Sequence, residues 1–80
     1  MRCPRSMDRN VILDHLAQAR RHVAEAERHV ARQREIVAQL ERDGHDTSAP
    51  KKLLDQFEQF YVMHLEDRDR IQKELDEASN

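Results

Sequence analysis

The chain has little of the residues that break helices or fill large cores. Its 80 residues include one glycine, two prolines, one cysteine, two phenylalanines, one tyrosine and no tryptophan. A single glycine excludes a glycine-rich phosphate loop, and a single cysteine, Cys3, excludes an internal disulfide. No apolar run approaches the roughly 18–20 residues of a membrane span, and no apolar segment of a secretory signal follows Arg2 and Arg5. We therefore expect a cytoplasmic protein without membrane contact.

The composition favours long amphipathic helices. Charged residues make up 38% of the chain and aromatic residues 4%, which is too polar for a rounded globule. The pattern is too regular, and too rich in Ala, Leu, Arg, Glu and Gln, for disorder. A chain of this length forms one domain at most, and its small core often needs a partner chain for stability.

The stretch from His15 to Arg42 repeats every seven residues. Its four units are HLAQARR, HVAEAER, HVARQRE and IVAQLER. The second residue of each unit is branched and apolar, and an alanine follows it. The branched residues are Leu16, Val23, Val30 and Val37. A seven-residue apolar repeat of this length predicts a helix that lies along another helix.

A second core column accompanies the first. It consists of Ile12, Ala19, Ala26, Gln33 and Leu40. Gln33 is a polar insertion of the kind that fixes register at some cost in stability. Leu13, Ile36 and the alanines widen the apolar stripe, and a wide stripe favours a multi-helix bundle over a two-stranded coil.

Stop and start signals define two helices. Gly44 suits a left-handed helix C-cap, and Asp46, Thr47 and Ser48 suit an N-cap before Pro50. The sequence therefore predicts an irregular lead-in over 1–7, a first helix over 8–43, a turn over 44–48 and a second helix over 49–77. Met7 offers an alternative translation start to Met1, and Ser6 or Asp8 would cap the first helix.

The second helix carries its aromatic residues near its middle. At 100° per residue, one face gathers Leu53, Phe57, Phe60, Tyr61, His64, Arg68, Ile71 and Leu75. Leu54 and Leu65 flank this face. We expect the aromatic stretch to meet the Val30–Val37 turns, with small Ala26 and Ala31 opposite. The face thins beyond Leu65, where acids oppose the helix dipole and predict fraying.

These patterns predict an all-α fold of two long antiparallel helices, a coiled-coil-like helical hairpin. One hairpin leaves part of both apolar stripes uncovered, so we expect a homodimer that forms a four-helix bundle. The residues expected at the interface are Leu16, Val23, Val30, Val37, Leu40, Leu53, Phe57, Phe60, Tyr61 and Ile71.

Three segments, HVARQREIVAQLERDGHDT (29–47), LLDQFEQF (53–60) and HLEDRDR (64–70), carry a resemblance that covers nearly the whole chain after Met7. The chain resembles a group of small hypothetical helical-hairpin proteins of alphaproteobacteria, notably rhizobia, and LERDGHDT at the turn is the most specific part. The resemblance implies a bacterial, cytoplasmic accessory protein. It implies no catalytic or binding residues.

The histidines are the most function-like feature of the repeat. His15, His22 and His29 begin three successive units, and about 10.5 Å separates each from the next along a helix. One metal ion cannot bridge that spacing. Glu25 and His29, one turn apart, could form half of a metal site with His22 that a second helix completes. The sequence favours the simpler interpretation, in which the histidines flank the helix seam and no metal or cofactor binds; a pH-sensitive interface is the remaining alternative.

Two other polar groups have structural explanations. His64 and Arg68 lie on the apolar face, where the expected roles are a hydrogen-bonded core histidine and an arginine paired with Asp67 or a carboxylate of the first helix. The turn residues His45-Asp46-Thr47-Ser48 cannot arrange a nucleophile, base and orienting acid on one tight turn. We expect no enzyme activity.

The predicted function is a non-enzymatic protein-interaction module, a small adaptor or regulator with an unknown protein partner. A nucleic-acid-associated regulator is the alternative from another class. It would use the first-helix arginines Arg20, Arg21, Arg28, Arg32 and Arg34. Residues 8–43 hold seven arginines and seven acids, and the whole chain has a net charge of −2, so the basic stripe of a DNA-binding helix is missing.

Overall fold

The computed structural model describes residues 9–78. They form two helices, α1 (Arg9–Arg42) and α2 (Ser48–Ala78), which pack against each other as an antiparallel hairpin. The predicted hairpin is therefore confirmed, and the three helix ends within the described residues differ from prediction by one residue. The predicted lead-in, the start of α1 at Asp8, its cap and Cys3 lie outside the described residues. Neither α1 nor α2 is long and apolar enough to cross a membrane.

The buried residues of α1 follow the seven-residue repeat without interruption. They alternate three and four positions apart along one narrow stripe. These residues are Ile12, Leu16, Ala19, Val23, Ala26, Val30, Gln33 and Val37. The alanines that follow the branched residues at 17, 24 and 31 stay exposed. A single hairpin thus covers the two core columns and leaves the wider part of the stripe uncovered.

Gln33 is the buried polar residue of this seam. Only 6% of its surface is exposed, and its side-chain Nε2 donates a hydrogen bond to the carbonyl oxygen of Pro50 at 3.0 Å. A buried amide without a partner would cost about 1–3 kcal/mol. The bond therefore ties one level of α1 to the first turn of α2 and disfavours slippage of the helices.

Gly44 ends α1 in a left-handed conformation, with φ of 78°. The His45 amide donates to the Leu40 carbonyl and the Gly44 amide donates to the Glu41 carbonyl. This pair of bonds is a Schellman motif, which satisfies carbonyls that the helix end leaves free. The sequence prediction of a glycine C-cap is confirmed.

Replacing Gly44 with alanine is expected to lower the free energy of unfolding by about 1 kcal/mol. A Cβ at this position meets nothing within 4 Å, so the cost comes from the left-handed backbone alone. Urea unfolding followed by circular dichroism measures it. Gly44→Asn is the matched control, because asparagine tolerates this conformation better, and equal stability of all three proteins would contradict the assignment.

Asp46 organises the start of α2. Its Oδ1 accepts hydrogen bonds from the Ser48 amide at 2.9 Å and from the Ser48 hydroxyl at 2.7 Å. The bond from the Ser48 amide, and then that from its hydroxyl, lowers the pKa of Asp46 from its ordinary 3.8. Pro50 follows in the first helical turn, where its missing amide hydrogen leaves no helical bond unmade.

The lowered pKa of Asp46 gives the hairpin an acid-sensitive contribution. A carboxyl whose pKa is lower in the folded state stabilises that state above its unfolded pKa of about 3.8, and the contribution is lost as pH falls through the folded pKa. We expect Asp46→Ala to lower the melting temperature at pH 7 and to make little difference at pH 2. Asp46→Asn, which can accept the same bonds without titrating, is the control. An Asp46→Ala deficit that is the same at both pH values would contradict this role.

The face that α2 turns toward α1 differs from the predicted face. Leu54 is half-buried, whereas Leu53 and Phe60 are 41% and 53% exposed. Leu53 and Phe60, which were expected on the same face as Phe57, therefore lie at its exposed edge, and their place at an interface between copies stays a prediction. Phe57, Tyr61 and Ile71 are half-buried as predicted members of the face, as are His64, Leu65 and Arg68. The residues of α2 that α1 covers include a run with the same three-four spacing as the buried residues of α1. This run is Leu54, Phe57, Tyr61, His64, Arg68, Ile71 and Leu75.

The open end of the hairpin is closed by an apolar cluster. Ile12 and Leu16 of α1 pack with Leu75 of α2, and Ile71 packs against them. Leu75 is the buried residue of α2, and α2 continues to Ala78. The expectation of a thinning face and a frayed end beyond Leu65 is therefore wrong, because Leu75 finds two large side chains near the start of α1.

Candidate functional site

One side of the hairpin is closed by polar pairs between the helices. Lys51 Nζ lies 2.9 Å from Glu41, and Arg34 donates to Glu58 at 3.0 Å. Two further bonds lie on the same side: from Arg20 to Gln72 at 3.3 Å, and from the Tyr61 hydroxyl to Glu27 at 3.3 Å. We call this side the ion-pair flank. These exposed pairs contribute little stability each, but they fix how the helices face each other.

The pairs on the ion-pair flank define a constant register. Glu41 pairs with Lys51, and Arg34 pairs with Glu58. The two pairs are thus seven residues apart on each helix, in opposite chain directions. Fourteen further residues on each helix lead to the bond between Arg20 and Gln72. The two helices therefore keep one heptad alignment along their whole contact, as expected of an antiparallel coiled coil.

The opposite side carries the histidines, and we call it the histidine flank. It consists of His15, His22, His29 and Ile36 of α1 with Leu53, Phe60, Asp67 and Glu74 of α2. Its contacts between helices include two between aromatic rings. The ring centroids of His22 and His64 are 5.3 Å apart, and those of His29 and Phe57 are 5.6 Å apart. Both pairs are tilted, which suits rings with complementary edges and faces.

A groove of about 210 Å³ lies at the centre of the histidine flank. It is lined by His22, Glu25, Ala26, His29, Phe57, Phe60 and His64. Ala26 is the smallest residue of this lining, and α2 contributes the rings of Phe57, Phe60 and His64. The structure thus places large aromatics opposite Ala26, as predicted. Ala31, the other small residue predicted there, is exposed and takes no part in the groove.

The groove brings together the three residues of the metal hypothesis. His22, Glu25 and His29 all line it, and His64 joins them from α2. Among residues 9–78, however, no group of three or more histidine, cysteine, aspartate or glutamate side chains is arranged to hold a metal ion. The ring of His22 packs against the ring of His64, and the ring of His29 packs against that of Phe57. In the hairpin both histidines therefore make ring-packing contacts between the helices.

Large apolar side chains are exposed beside the groove. Phe60 is 53% exposed, Leu53 is 41% exposed and Met63 is 58% exposed. Phe60, Met63 and His64 also line a neighbouring depression of about 350 Å³ with Glu66, Asp67 and Arg70. Single exposed apolar residues are ordinary, but a contiguous group of them beside a groove is typical of an interaction surface.

A larger depression of about 590 Å³ lies on α1 near the turn. It is lined by Arg32, Glu35, Ile36, Ala38, Gln39, Leu40 and Arg42. All of these residues belong to one helix, so the depression is an open helix surface with no second wall. Ile36 connects it to the histidine flank, and it extends that flank toward the turn.

Arg68 has a different partner from those predicted. Its guanidinium donates two bonds to Asp69 Oδ1, at 2.9 and 3.1 Å. The expected partner, Asp67, pairs with Arg70 instead. His64 is half-buried and packs against His22, so its ring belongs to the groove. The sequence placed His64 and Arg68 on the apolar face and missed the contact with His22, because that contact depends on the register between helices.

The turn residues are used for capping. Asp46 and Ser48 bond to each other, and the Thr47 carbonyl accepts the first helical bond of α2, from Lys51. His45 contributes its amide to the end of α1. The structure brings these four residues together as adjacent parts of one turn, and two of its polar side chains are already engaged.

No family model, curated protein or solved structure matches this chain. The resemblance to small alphaproteobacterial proteins therefore stays a prediction.

Proposed function

We propose that this chain is a non-enzymatic protein-interaction module, a small bacterial adaptor or regulator of the cytoplasm. In this proposal it works as a homodimer, in which two hairpins form a four-helix bundle. The histidine flank is the surface through which the hairpins associate. The observation that carries the proposal is the exposure of Leu53 and Phe60 on this flank, with exposed Met63 beside Phe60.

The asymmetry between the two flanks supports this assignment. On the ion-pair flank, Arg34, Glu58, Glu41 and Lys51 already pair within the hairpin. On the histidine flank, Leu53 and Phe60 lie at the same position of the repeat as the histidines, yet about half of each residue stays exposed. Burial of a phenylalanine stabilises an association by about 1.5–3 kcal/mol. A second apolar surface would gain most by binding on this side.

The arginines of the nucleic-acid alternative are partly engaged. Arg34 pairs with Glu58 and Arg20 bonds to Gln72, so two of the five side chains in that hypothesis already contact α2. A phosphate backbone would have to compete with these contacts. The exposed apolar residues and the engaged arginines together favour a protein-interaction module over a nucleic-acid-binding regulator.

Light scattering coupled to size-exclusion chromatography tests the proposal. We expect a mass of twice the 9.5 kDa chain at micromolar concentration. A folded protein with the mass of one chain would contradict the homodimer. Retention on DNA at low salt that falls steeply with added salt would instead favour the nucleic-acid alternative.

A further inference from the structure

The histidine flank changes character along the hairpin. Near the turn it is apolar, with Ile36, Leu53 and Phe60. Toward the open end it carries His22, Asp67 and other titratable side chains. A second copy bound to this flank therefore meets an apolar surface at one end and a polar surface at the other.

The register between helices sets which flank residues share a level. The pairs Glu41–Lys51 and Arg34–Glu58 show that seven residues along α1 match seven along α2. The same step applies on the histidine flank. The ring contacts of His29 with Phe57 and of His22 with His64 set the alignment on this flank. Phe60 and Asp67 follow Phe57 and His64 by three residues, so four pairs lie within about one helical turn of a common level: Ile36 with Leu53, His29 with Phe60, His22 with Asp67, and His15 with Glu74.

We propose that the second copy binds the histidine flank with both turns at the same end of the bundle. This inference rests on the homodimer proposed above and adds the relative orientation of the two copies. The two-fold axis then runs parallel to the helices. Rotation about it brings α1 of one copy opposite α2 of the other and leaves the position of each residue along the helix axis unchanged. Each shared level is repeated across the interface.

The side chains are complementary in this orientation. Ile36 meets Leu53 of the second copy, and His29 meets Phe60 of the second copy, which are apolar and ring contacts. Nearer the open end, His22 meets Asp67 of the second copy, and a histidine beside a carboxylate is favourable in either protonation state of the imidazole. No level of the flank places two like charges opposite each other.

The opposite orientation is less favourable. In that orientation the two-fold axis runs perpendicular to the helices, here at the level of Phe60. Each helix then lies antiparallel to its own copy, so α2 packs against α2 of the second copy. Leu53 would then meet Asp67 of the second copy, and Ile36 would meet His22 of the second copy. Asp67 pairs with Arg70 in its own helix, but under an apolar side chain it would lose hydration and gain no partner across the interface. Reversal also leaves part of both hairpins outside the overlap.

The flank is large enough for a stable interface. The molecule measures 67 × 16 × 14 Å, with a radius of gyration of 18.2 Å, whereas a compact chain of this length has a radius of about 12 Å. The 34 residues of α1 extend about 50 Å, so one flank offers a footprint of about 700 Å². Stable interfaces bury about 800 Å² per partner, so binding along the whole flank in the same-end orientation supplies nearly the full area.

Double electron–electron resonance, which measures the distance between two spin labels, tests the orientation. Nitroxide labels are attached at His45→Cys near the turn or at Glu77→Cys near the open end, each in a Cys3→Ser background. In the same-end bundle, both variants give a distance between copies of about 15–30 Å, set by neighbouring helix axes and label length. In the reversed bundle, both give about 45–50 Å, because the labelled ends separate along the axis.

Two further measurements separate the possible failures. Doubled mass with long distances at both sites would overturn the orientation and leave the homodimer intact. The mass of one chain, with no distance between copies, would overturn both. Phe60→Glu should abolish the short distance from the turn label, whereas Val62→Glu, outside the histidine flank, should retain it; the reverse pattern would overturn the choice of face.

Discussion

Phe60→Glu is expected to raise the dissociation constant of the dimer about 10- to 100-fold, because each of two symmetry-related rings loses about half of the 1.5–3 kcal/mol that full burial supplies. Phe60 is 53% exposed within the hairpin, so the substitution leaves the hairpin's own seam intact. In the bundle, the new carboxylate would face His29 of the second copy, and this polar contact would offset only part of the apolar burial that is lost. Sedimentation equilibrium over a concentration series measures the change.

Val62→Glu is the matched control. Val62 is 50% exposed, nearly as much as Phe60, and lies in the same turn of α2 but outside the histidine flank. We expect its dissociation constant to stay within a few-fold of the original, and both variants to keep their helical circular dichroism. Equal weakening by both substitutions, or weakening by Val62→Glu alone, would contradict the assignment of the histidine flank.

Leu16→Ala is expected to lower the free energy of unfolding by about 2–4 kcal/mol. Leu16 is 3% exposed and packs with Ile12 and Leu75 in the cluster that closes the open end. Truncation removes buried apolar surface and leaves a cavity, since two straight helices cannot collapse around it. The core of a domain of this size supplies only about 3–5 kcal/mol of unfolding free energy. The variant should therefore unfold at a much lower urea concentration.

Leu13→Ala provides the comparison for Leu16→Ala. Leu13 is the same residue type on the same turn region of α1, but it is 37% exposed, so its truncation should cost under about 1 kcal/mol. Both variants are compared by urea unfolding at one protein concentration, because association contributes to the measured stability. Similar losses for Leu13→Ala and Leu16→Ala would mean that the cluster at the open end does not carry the stability assigned to it.

The buried face of α1 could be predicted from the sequence because apolar residues occupy nearly every core position of its seven-residue repeat. Leu16, Val23, Val30 and Val37 recur every seven residues, and all four are buried. Gly44 supplied an unambiguous stop, since its left-handed backbone is what glycine at a helix end favours. Helix bounds and the antiparallel hairpin followed from these local signals.

The face of α2 could not be read in the same way. A period of 100° per residue groups Leu53 and Phe60 with the residues that do face α1, among them His64 and Arg68. A straight helix at 100° per residue also drifts relative to a seven-residue repeat by about 20° per heptad. The partner helix removes that drift, and Leu54 rather than Leu53 turns toward α1. The error thus came from treating α2 alone.

The histidine groove depends on register, which the sequence constrained loosely. The aromatic stretch was predicted against Val30–Val37, whereas Phe57 contacts His29 and the Tyr61 hydroxyl reaches Glu27. The shift is about one helical turn for Tyr61. It reflects the turn geometry and the bond from Gln33 to Pro50, which together fix the alignment. His64 therefore meets His22, a contact that spacing within one helix cannot indicate.

The central claim is that two hairpins associate through the histidine flank. An isotope-filtered nuclear Overhauser experiment on a mixture of labelled and unlabelled chains tests it directly, since it detects only contacts between copies. We predict contacts from the Phe60 ring to His29 of the second copy and from Leu53 to Ile36 of the second copy. Contacts between copies that instead involve Val62 or the exposed alanines of α1, or no contacts at all, would contradict the account.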